Sequence, residues 1–426
     1  MFKKPTVPRW DMTSFSLPVI QAEVCNGWTV VHHFDDSNPI VSLRLLVTGG
    51  TQQSNKGGVE YLTDALLVHH LQKNWREHLL SGNLRHTIQE DYSSFSLDGL
   101  ISEWPQMCRT INTLFHNATL DLEYGRHLRR IRIEEIEHES HNPQSLINWA
   151  VLEILYPNSE MSTGAYGSIR SLNSISDVDI EQSLKRYRSP SGIVLITGGI
   201  SRQSVLDWVN ASLPKAHQQK IKPTPPIVTP STYFVSTPVA HSQTLIQSIF
   251  PASNATKHLL SNELISLNIG ELFTSRLNQN LRVKHGITYG ISSSIWDIEN
   301  HPLFVVQTMV DKQQQETALS IIQETIRQAH QGWTEEDLNI AKRHLCQQLI
   351  SYSNSAHDLA NLLYQWLASG STLKDFNQIT QHIKETDLDK ITSAATSLSQ
   401  HQGMHILVGS SRNSDWKLHR VQKMLT

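Results

Sequence analysis

Near the start of the chain, GGVEYLTDALL (Gly57 to Leu67) sets Glu60 and Asp64 four residues apart, with Thr63 beside the second carboxylate. On a helix this spacing stacks the two side chains one turn apart on a single face, where carboxylates can hold a cation between them. With Glu135 from a second helix they make three oxygen donors, which suit Ca²⁺, Mg²⁺ or Mn²⁺ better than Zn²⁺. Hydrolysis would also need a group that takes a proton from water, and a threonine hydroxyl does not do so at neutral pH. Without imidazole or a base, the bland account is a set of polar residues lining a solvated cavity. Two histidine groups also have ligand-like spacing: His69, His70 and His78, and Glu134, His138 and His141, which one helical face can present together. The chain has 22 histidines, so such coincidences are expected. Neither group comes with the outer partners of a zinc site, and both read as solvated faces. Arg282 and Tyr289 differ: seven residues apart in LRVKHGITY, a guanidinium and a phenol can together fix a carbonyl or carboxylate. Their bland alternative is a structural ion pair at a helix end with a partly buried tyrosine.

The elements around these residues are legible from pattern. Asn26-Gly27 in VCNGWTVV separates two short β-prone runs and predicts a tight hairpin. Val41, Leu43, Leu45 and Val47 alternate with Ser42, Arg44 and Leu46, a half-buried strand that stops at Thr48-Gly49-Gly50. Met107, Ile111 and Leu114 have helical spacing, and His127 to Glu139 form a charged helical stretch ending before Asn142-Pro143. Further on, Leu319, Ile322, Ile326 and Ala329 share a helix face, with Gly332 placed as a C-terminal cap. Thr334 and Asp337 then have the spacing of a capping box for a helix burying Leu338, Ala341, Leu345 and Leu349.

Pro214 to Pro230 holds five prolines and reads as an extended linker. On either side the chain repeats itself. IVLITGGISRQSV (Ile193 to Val205) resembles MHILVGSSRNSDW (Met404 to Trp416), and IVSLRLLVTGG (Ile40 to Gly50) has its counterpart in TLIQSIFPAS (Thr244 to Ser253). An internal duplication accounts for both pairs. The expected fold class is α+β, in two homologous halves, each a mostly antiparallel sheet with helices on one face. The expected domains are 1–213 and 231–426, joined by 214–230.

The chain has 426 residues and a formal net charge of -3, with no long run of either sign. That argues against a nucleic-acid or acidic-membrane surface. Cys25, Cys108 and Cys346 lie far apart with no C-x-x-C pair, as in a reducing compartment and not a disulfide framework. MFKKPTVPRWDM lacks the apolar run of a signal peptide, and no stretch approaches the ~18 apolar residues of a membrane helix. A cytoplasmic protein is expected.

With the order of elements set, a family resemblance emerges. NGWTVV…VSLRLLVTGGTQQSNKGGVEYLTDALL resembles the opening of the pitrilysin family of zinc peptidases, which includes the mitochondrial processing peptidase and the insulin-degrading enzyme. SGNLRHTIQEDYSSFSL looks like that family's substrate-binding edge strand, and HLRRIRIEEIEHESHNP like the helix bearing its third zinc ligand. LNIGELFTSRLNQNLRVKHGITYGISSS is similar to the region around the family's substrate-binding arginine and tyrosine, and GWTEEDLNIAKRHL to a late helix. In the family motif H-x-x-E-H, two histidines bind zinc and the glutamate activates water. Here those positions carry Glu60, Thr63 and Asp64, and only the downstream glutamate, matched to Glu135, remains. Arg85 and His86 also depart from the family at the edge strand, as does His285 near the arginine, which leaves substrate preference open.

The resemblance implies a subunit that is not catalytic on its own, holds no metal or cofactor, and pairs with a homologous chain bearing H-x-x-E-H and zinc. Arg282 and Tyr289 would serve as substrate-binding residues in a composite site for unfolded peptides. Neither nucleic acid nor membrane is an expected partner. Bacterial peptide maturation is the setting such pairs suggest. The alternative is a structural or peptide-binding module with no role in catalysis, like the family's core subunits in respiratory complexes. A peptidase with a rebuilt metal site is the remaining reading.

Overall fold

The computed structural model describes residues 16–424 except 51–55, 78–80, 90, 117–119, 158, 218–223, 239–240, 254–258, 299–300, 411, 413–415 and 422–423. The N-terminal residues read as lacking a signal peptide, His78 and part of the 214–230 stretch therefore lie outside the described residues. A first sheet contains β1 (Gln21–Cys25), β2 (Trp28–Phe34), β3 (Ile40–Thr48), β4 (Asn83–Ile88), β5 (Tyr92–Leu100) and β6 (Gly192–Gly198), in the order β1-β2-β6-β3-β5-β4. A second contains β7 (Ser231–Ser236), β8 (Gln243–Pro251), β9 (Ile291–Ile298), β10 (His301–Asp311), β11 (Met404–Gly409) and β12 (Lys417–Leu418), in the order β12-β7-β11-β8-β10-β9.

The second order repeats the first. β2 runs parallel to β6, which is antiparallel to β3, followed by antiparallel β5 and the edge strand β4. β7, β11, β8, β10 and the edge strand β9 repeat those senses one for one. The strands read as duplicates, at 193 and 404 and at 40 and 244, are β6 with β11 and β3 with β8. At the β1–β2 turn, Asn26 and Gly27 have φ of 48° and 83°. Both central residues of a type I′ hairpin require such values.

The helices are α1 (Val59–Glu77), α2 (Trp104–His116), α3 (Leu122–Glu139), α4 (Pro143–Leu155), α5 (Ile169–Ser174), α6 (Asp177–Ser183), α7 (Lys185–Arg188) and α8 (Arg202–Ser212). They continue with α9 (Leu259–Ser266), α10 (Gln315–Arg327), α11 (Glu335–Ser351), α12 (Ala356–Ala368), α13 (Leu373–Glu385) and α14 (Leu388–Ser399). The Thr334–Asp337 capping box forms at the start of α11. α10 ends at Arg327, earlier than its apolar period suggests, and Gly332 closes the turn that follows with φ 70°. Among the described residues no helix is long and apolar enough to cross a membrane.

Each half packs its own helices on one face of its own sheet. Leu67 and Leu71 of α1 and Met107, Ile111 and Leu114 of α2 meet Leu43, Leu45, Phe95 and Leu97. Ile322 and Ile326 of α10 meet Ile246 and Phe304 in the second half. The opposite faces are covered by exchange. Leu146, Ile147 and Ala150 of α4 lie against Leu245, Ile249, Val305 and Ile406 of the second sheet. Leu359 and Leu363 of α12 lie against Val31 and Leu195 of the first.

This exchange corrects the reading of β3 as half-buried. Ser42 and Arg44, on its seemingly solvent-facing side, are 0% and 1% exposed. Arg44 is tolerated there because its Nη1 donates to Asp98 at 2.9 Å and its Nη2 to Asn361 of α12 at 3.0 Å. A buried charge needs such partners.

Candidate functional site

Helix α1 begins against the loop that precedes α5. Gly58 has φ 89°, and a Cβ there would meet the carbonyl oxygen of Tyr166 at 2.9 Å, so no other residue fits without strain. Lys56 fixes the same turn by donating to Asp179 at 2.7 Å and to the Ser174 carbonyl at 3.1 Å. The helix then turns Glu60, Thr63 and Asp64 inward, where they are 6%, 0% and 0% exposed. The face that reads as a solvated cavity lining is thus a buried one. The Thr63 hydroxyl donates to the Val59 carbonyl of its own helix at 2.9 Å.

Between the two carboxylates lies the guanidinium of Arg186, from the short helix α7. Its Nη1 is 2.7 Å from Glu60 Oε2, and its Nη2 pairs closely with Asp64. The same group donates to the Gly49 carbonyl at the end of β3 and to the Tyr187 hydroxyl at 3.1 Å. Asp64 also accepts from Tyr187 Oη at 2.6 Å and from the Ser93 hydroxyl. Glu60 accepts from the Ser183 hydroxyl at 2.5 Å.

One cation faces two carboxylates in a dry environment, and the protonation equilibria follow from that. Burial raises the Glu60 carboxyl above its ordinary value, outweighing Arg186 and the Ser183 hydrogen bond. The carboxylates hold Arg186 charged despite its burial. Burial pushes the Tyr187 phenol well up, so it remains a neutral donor to Asp64. His86, on edge strand β4, feels the Asp64 charge, but burial dominates and lowers its pKa.

Glu135 lies elsewhere. On α3 its half-exposed carboxylate pairs with Arg132 at 3.0 Å, and Arg132 also holds Glu139 at 3.0 Å. The Arg132 guanidinium sits 5.0 Å from the Tyr166 ring. Among the described residues no group of three or more His, Cys, Asp or Glu side chains is disposed to hold a metal ion. A zinc ion requires free histidine, cysteine or carboxylate donors in a tetrahedral set. The residues present do not fit it, because Arg186 engages both Glu60 and Asp64. Of the histidine groups, His69 stacks on Tyr124 with ring centroids 3.9 Å apart, and His138 and His141 lie on the surface.

Arg282 and Tyr289 flank the connection into β9, the edge strand of the second sheet. Arg282 lies in a π-helical segment, Asn278–Lys284, which follows a second one at Leu267–Glu271. Such widened turns recur at functional sites. Its guanidinium rests 5.4 Å from the ring of exposed Phe273. Tyr289 is 91% exposed. Its neighbour Thr288 is buried and donates to the carbonyls of Gly290 and Met309 at 2.9 and 2.8 Å, which anchors the segment. The bland reading of a structural ion pair with a partly buried tyrosine does not describe this geometry.

Sequence reasoning missed Arg186, Ser183, Tyr187 and Ser93. Arg186 is 122 residues from Asp64, and no spacing rule joins them. The one available signal was the basic run Lys185-Arg186 just before the strand β6.

Residues 174–345 match a protein-family profile described as the peptidase M16 inactive domain. A crystal structure of a peptidase M16 inactive domain from Pseudomonas fluorescens superposes with a TM-score of 0.80 at 18% identity, covering 95% of this chain and 100% of that one. A protease from Helicobacter pylori gives 0.78 at 16% identity, covering 92% and 100%. A chain of complex III from Candida albicans gives 0.76 at 12%, covering 91% and 95%. No curated protein matches the chain.

Proposed function

We propose that this chain, a member of the M16 peptidase family in its inactive form, serves as the non-catalytic subunit of a heterodimeric zinc endopeptidase acting on unfolded peptides. The observation that carries the reading is the Arg186 guanidinium bonded to both Glu60 and Asp64, the positions where the family's active chains place zinc-binding histidines. A fixed cation takes the place of the metal, and Thr63 supplies no base. The zinc and the water-activating glutamate then belong to a homologous partner.

What this chain contributes is Arg282 and Tyr289. Both are exposed beside a sheet edge, as residues that meet a second chain or its substrate must be. The tyrosine hydroxyl donates to the scissile carbonyl as negative charge develops there, and the guanidinium holds a neighbouring carbonyl or carboxylate. The halves 1–213 and 231–426, linked by 214–230, act as one rigid body because each lends a helix to the other's sheet. We place the pair in the cytoplasm: Cys25, Cys108 and Cys346 are buried free thiols, suited to a reducing compartment.

The competing reading is a scaffold or peptide-binding module. The fold is shared with a chain of complex III, so it is compatible with such a role. The deciding experiment is steady-state peptide cleavage by the reconstituted heterodimer carrying Tyr289→Phe. A composite site loses turnover while still assembling; a scaffold keeps wild-type turnover.

A further inference from the structure

Beside the segment that carries Arg282 and Tyr289 lies a cavity of about 810 Å³, within the range of small-ligand and peptide side-chain sites. One wall is the π-helical segment and its exit, through Gln279, Asn280, Lys284 and His285; the other is the end of α10, through Glu324 and Gln328. Arg276 also lines it, with its Nε donating to Asn268 at 3.0 Å and its guanidinium 5.2 Å from the Trp333 ring. The one lining carboxylate, Glu324, is compensated: it pairs with Arg327 and accepts from the Gln328 amide. Arg276 and Lys284 therefore leave the cavity cationic. Its carboxamides offer the paired donor and acceptor that a peptide bond requires.

We infer that this cavity is a second subsite for the bound peptide and takes a carboxylate-bearing part of it. The inference rests on the peptide-binding reading of Arg282 and Tyr289. Lys284 and His285 lie between those two residues in sequence and line the cavity, which puts it next to the pair and within reach of a peptide that the pair holds. A carboxylate entering there meets Lys284 and the amide donors, a charge-assisted contact that a neutral residue cannot make. The carboxylate comes either from an Asp or Glu side chain or from the peptide's C-terminus.

The test uses the purified full-length chain and a fluorescein-labelled unstructured peptide rich in Asp and Glu near its C-terminus, read by anisotropy. Three forms are compared: the acidic peptide, its C-terminal amide, and a version with Asn and Gln in place of the acidic residues. The acidic peptide is expected to bind about tenfold more tightly than one of the altered forms, the scale of one charge-assisted hydrogen bond. Which form loses affinity names the source. Lys284→Gln with His285→Gln removes that preference, and Lys284→Glu transfers it to a peptide carrying Lys at the acidic positions. These residues are exposed, and unchanged thermal melting confirms folding. Equal binding of all three forms, or an unchanged preference in the Lys284→Gln, His285→Gln variant, overturns the inference. Arg282→Ala separates it from the parent reading by weakening every peptide alike; if Arg282→Ala has no effect while the cavity variants do, the parent reading fails and the subsite stands.

Discussion

Arg186 Nη1 lies 2.7 Å from Glu60 Oε2, and the same guanidinium pairs with Asp64, so one side chain bridges two carboxylates one helical turn apart. Glu60 and Asp64 are buried and the Arg186 side chain is only 10% exposed, and five elements meet at the bridge: the end of β3, α1, β5, α6 and α7. The consequences can be measured.

Arg186→Met is expected to destabilise the chain by about 3–5 kcal/mol, because it strands two carboxylates in a dry site. Urea unfolding of the variant measures this directly. Adding Glu60→Gln and Asp64→Asn to Arg186→Met should recover much of the loss, since neutral side chains of similar size need no counter-charge. A single variant within ~1 kcal/mol of wild type would show that the bridge is not a determinant of stability.

Introducing H-x-x-E-H with Glu60→His, Thr63→Glu and Asp64→His should not by itself create a zinc site, because Arg186 still projects between positions 60 and 64. The quadruple variant that also carries Arg186→Ala should bind zinc more tightly than the triple one. Elemental analysis after gel filtration distinguishes them, and equal zinc content in both would show that Arg186 does not block metal binding. The unaltered chain is expected to hold no stoichiometric zinc and to leave unfolded peptides intact.

The proposed composite site predicts that Arg282→Ala and Tyr289→Phe affect a reconstituted heterodimer differently. Tyr289→Phe deletes a donor that matters as charge develops, so kcat should fall on the order of a hundred- to a thousand-fold with KM little changed. In the proposed composite site Arg282 contacts the substrate already in the ground state, so Arg282→Ala should raise KM as well. Identical effects on both parameters from the two variants would refute this division of roles.

Acid should loosen the junction between the halves through Asp98. Its carboxylate accepts from Arg44 at 2.9 Å and faces His357 Nδ1 of α12 at 2.9 Å. Burial alone would raise its pKa, but Arg44 and the Ser42 hydroxyl more than offset that and hold it below the usual carboxylate value. A depressed folded-state pKa stabilises fully above the unfolded value, near 3.9, and is lost as pH falls below it towards the folded value. Stability measured between about pH 5 and pH 2 should therefore fall less steeply in Asp98→Asn than in the wild type, although Asp98→Asn starts from a lower plateau. Parallel curves for the two proteins would exclude Asp98 as a contributor.

Much of the fold was legible in the residues because local rules governed it. Asn26-Gly27 permits the positive φ values its hairpin needs, Thr334 and Asp337 cap α11, and the repeats at 40 and 244 and at 193 and 404 mark the duplicated strands. That Glu60 and Asp64 lie one turn apart on a helix was equally plain from spacing; matching them and Thr63 to the H-x-x-E-H positions rested on the family resemblance. Only the tertiary structure showed that β3 is covered on both faces, since its second cover, α12, lies more than 300 residues further along the chain. It also decided that Glu60 and Asp64 are buried around Arg186 and that Glu135 is paired with Arg132 instead. Periodicity and spacing report the environment of a segment relative to its own axis. Which distant side chain supplies the counter-charge in a buried site depends on how separate elements pack, and that information appears only when the chain is folded.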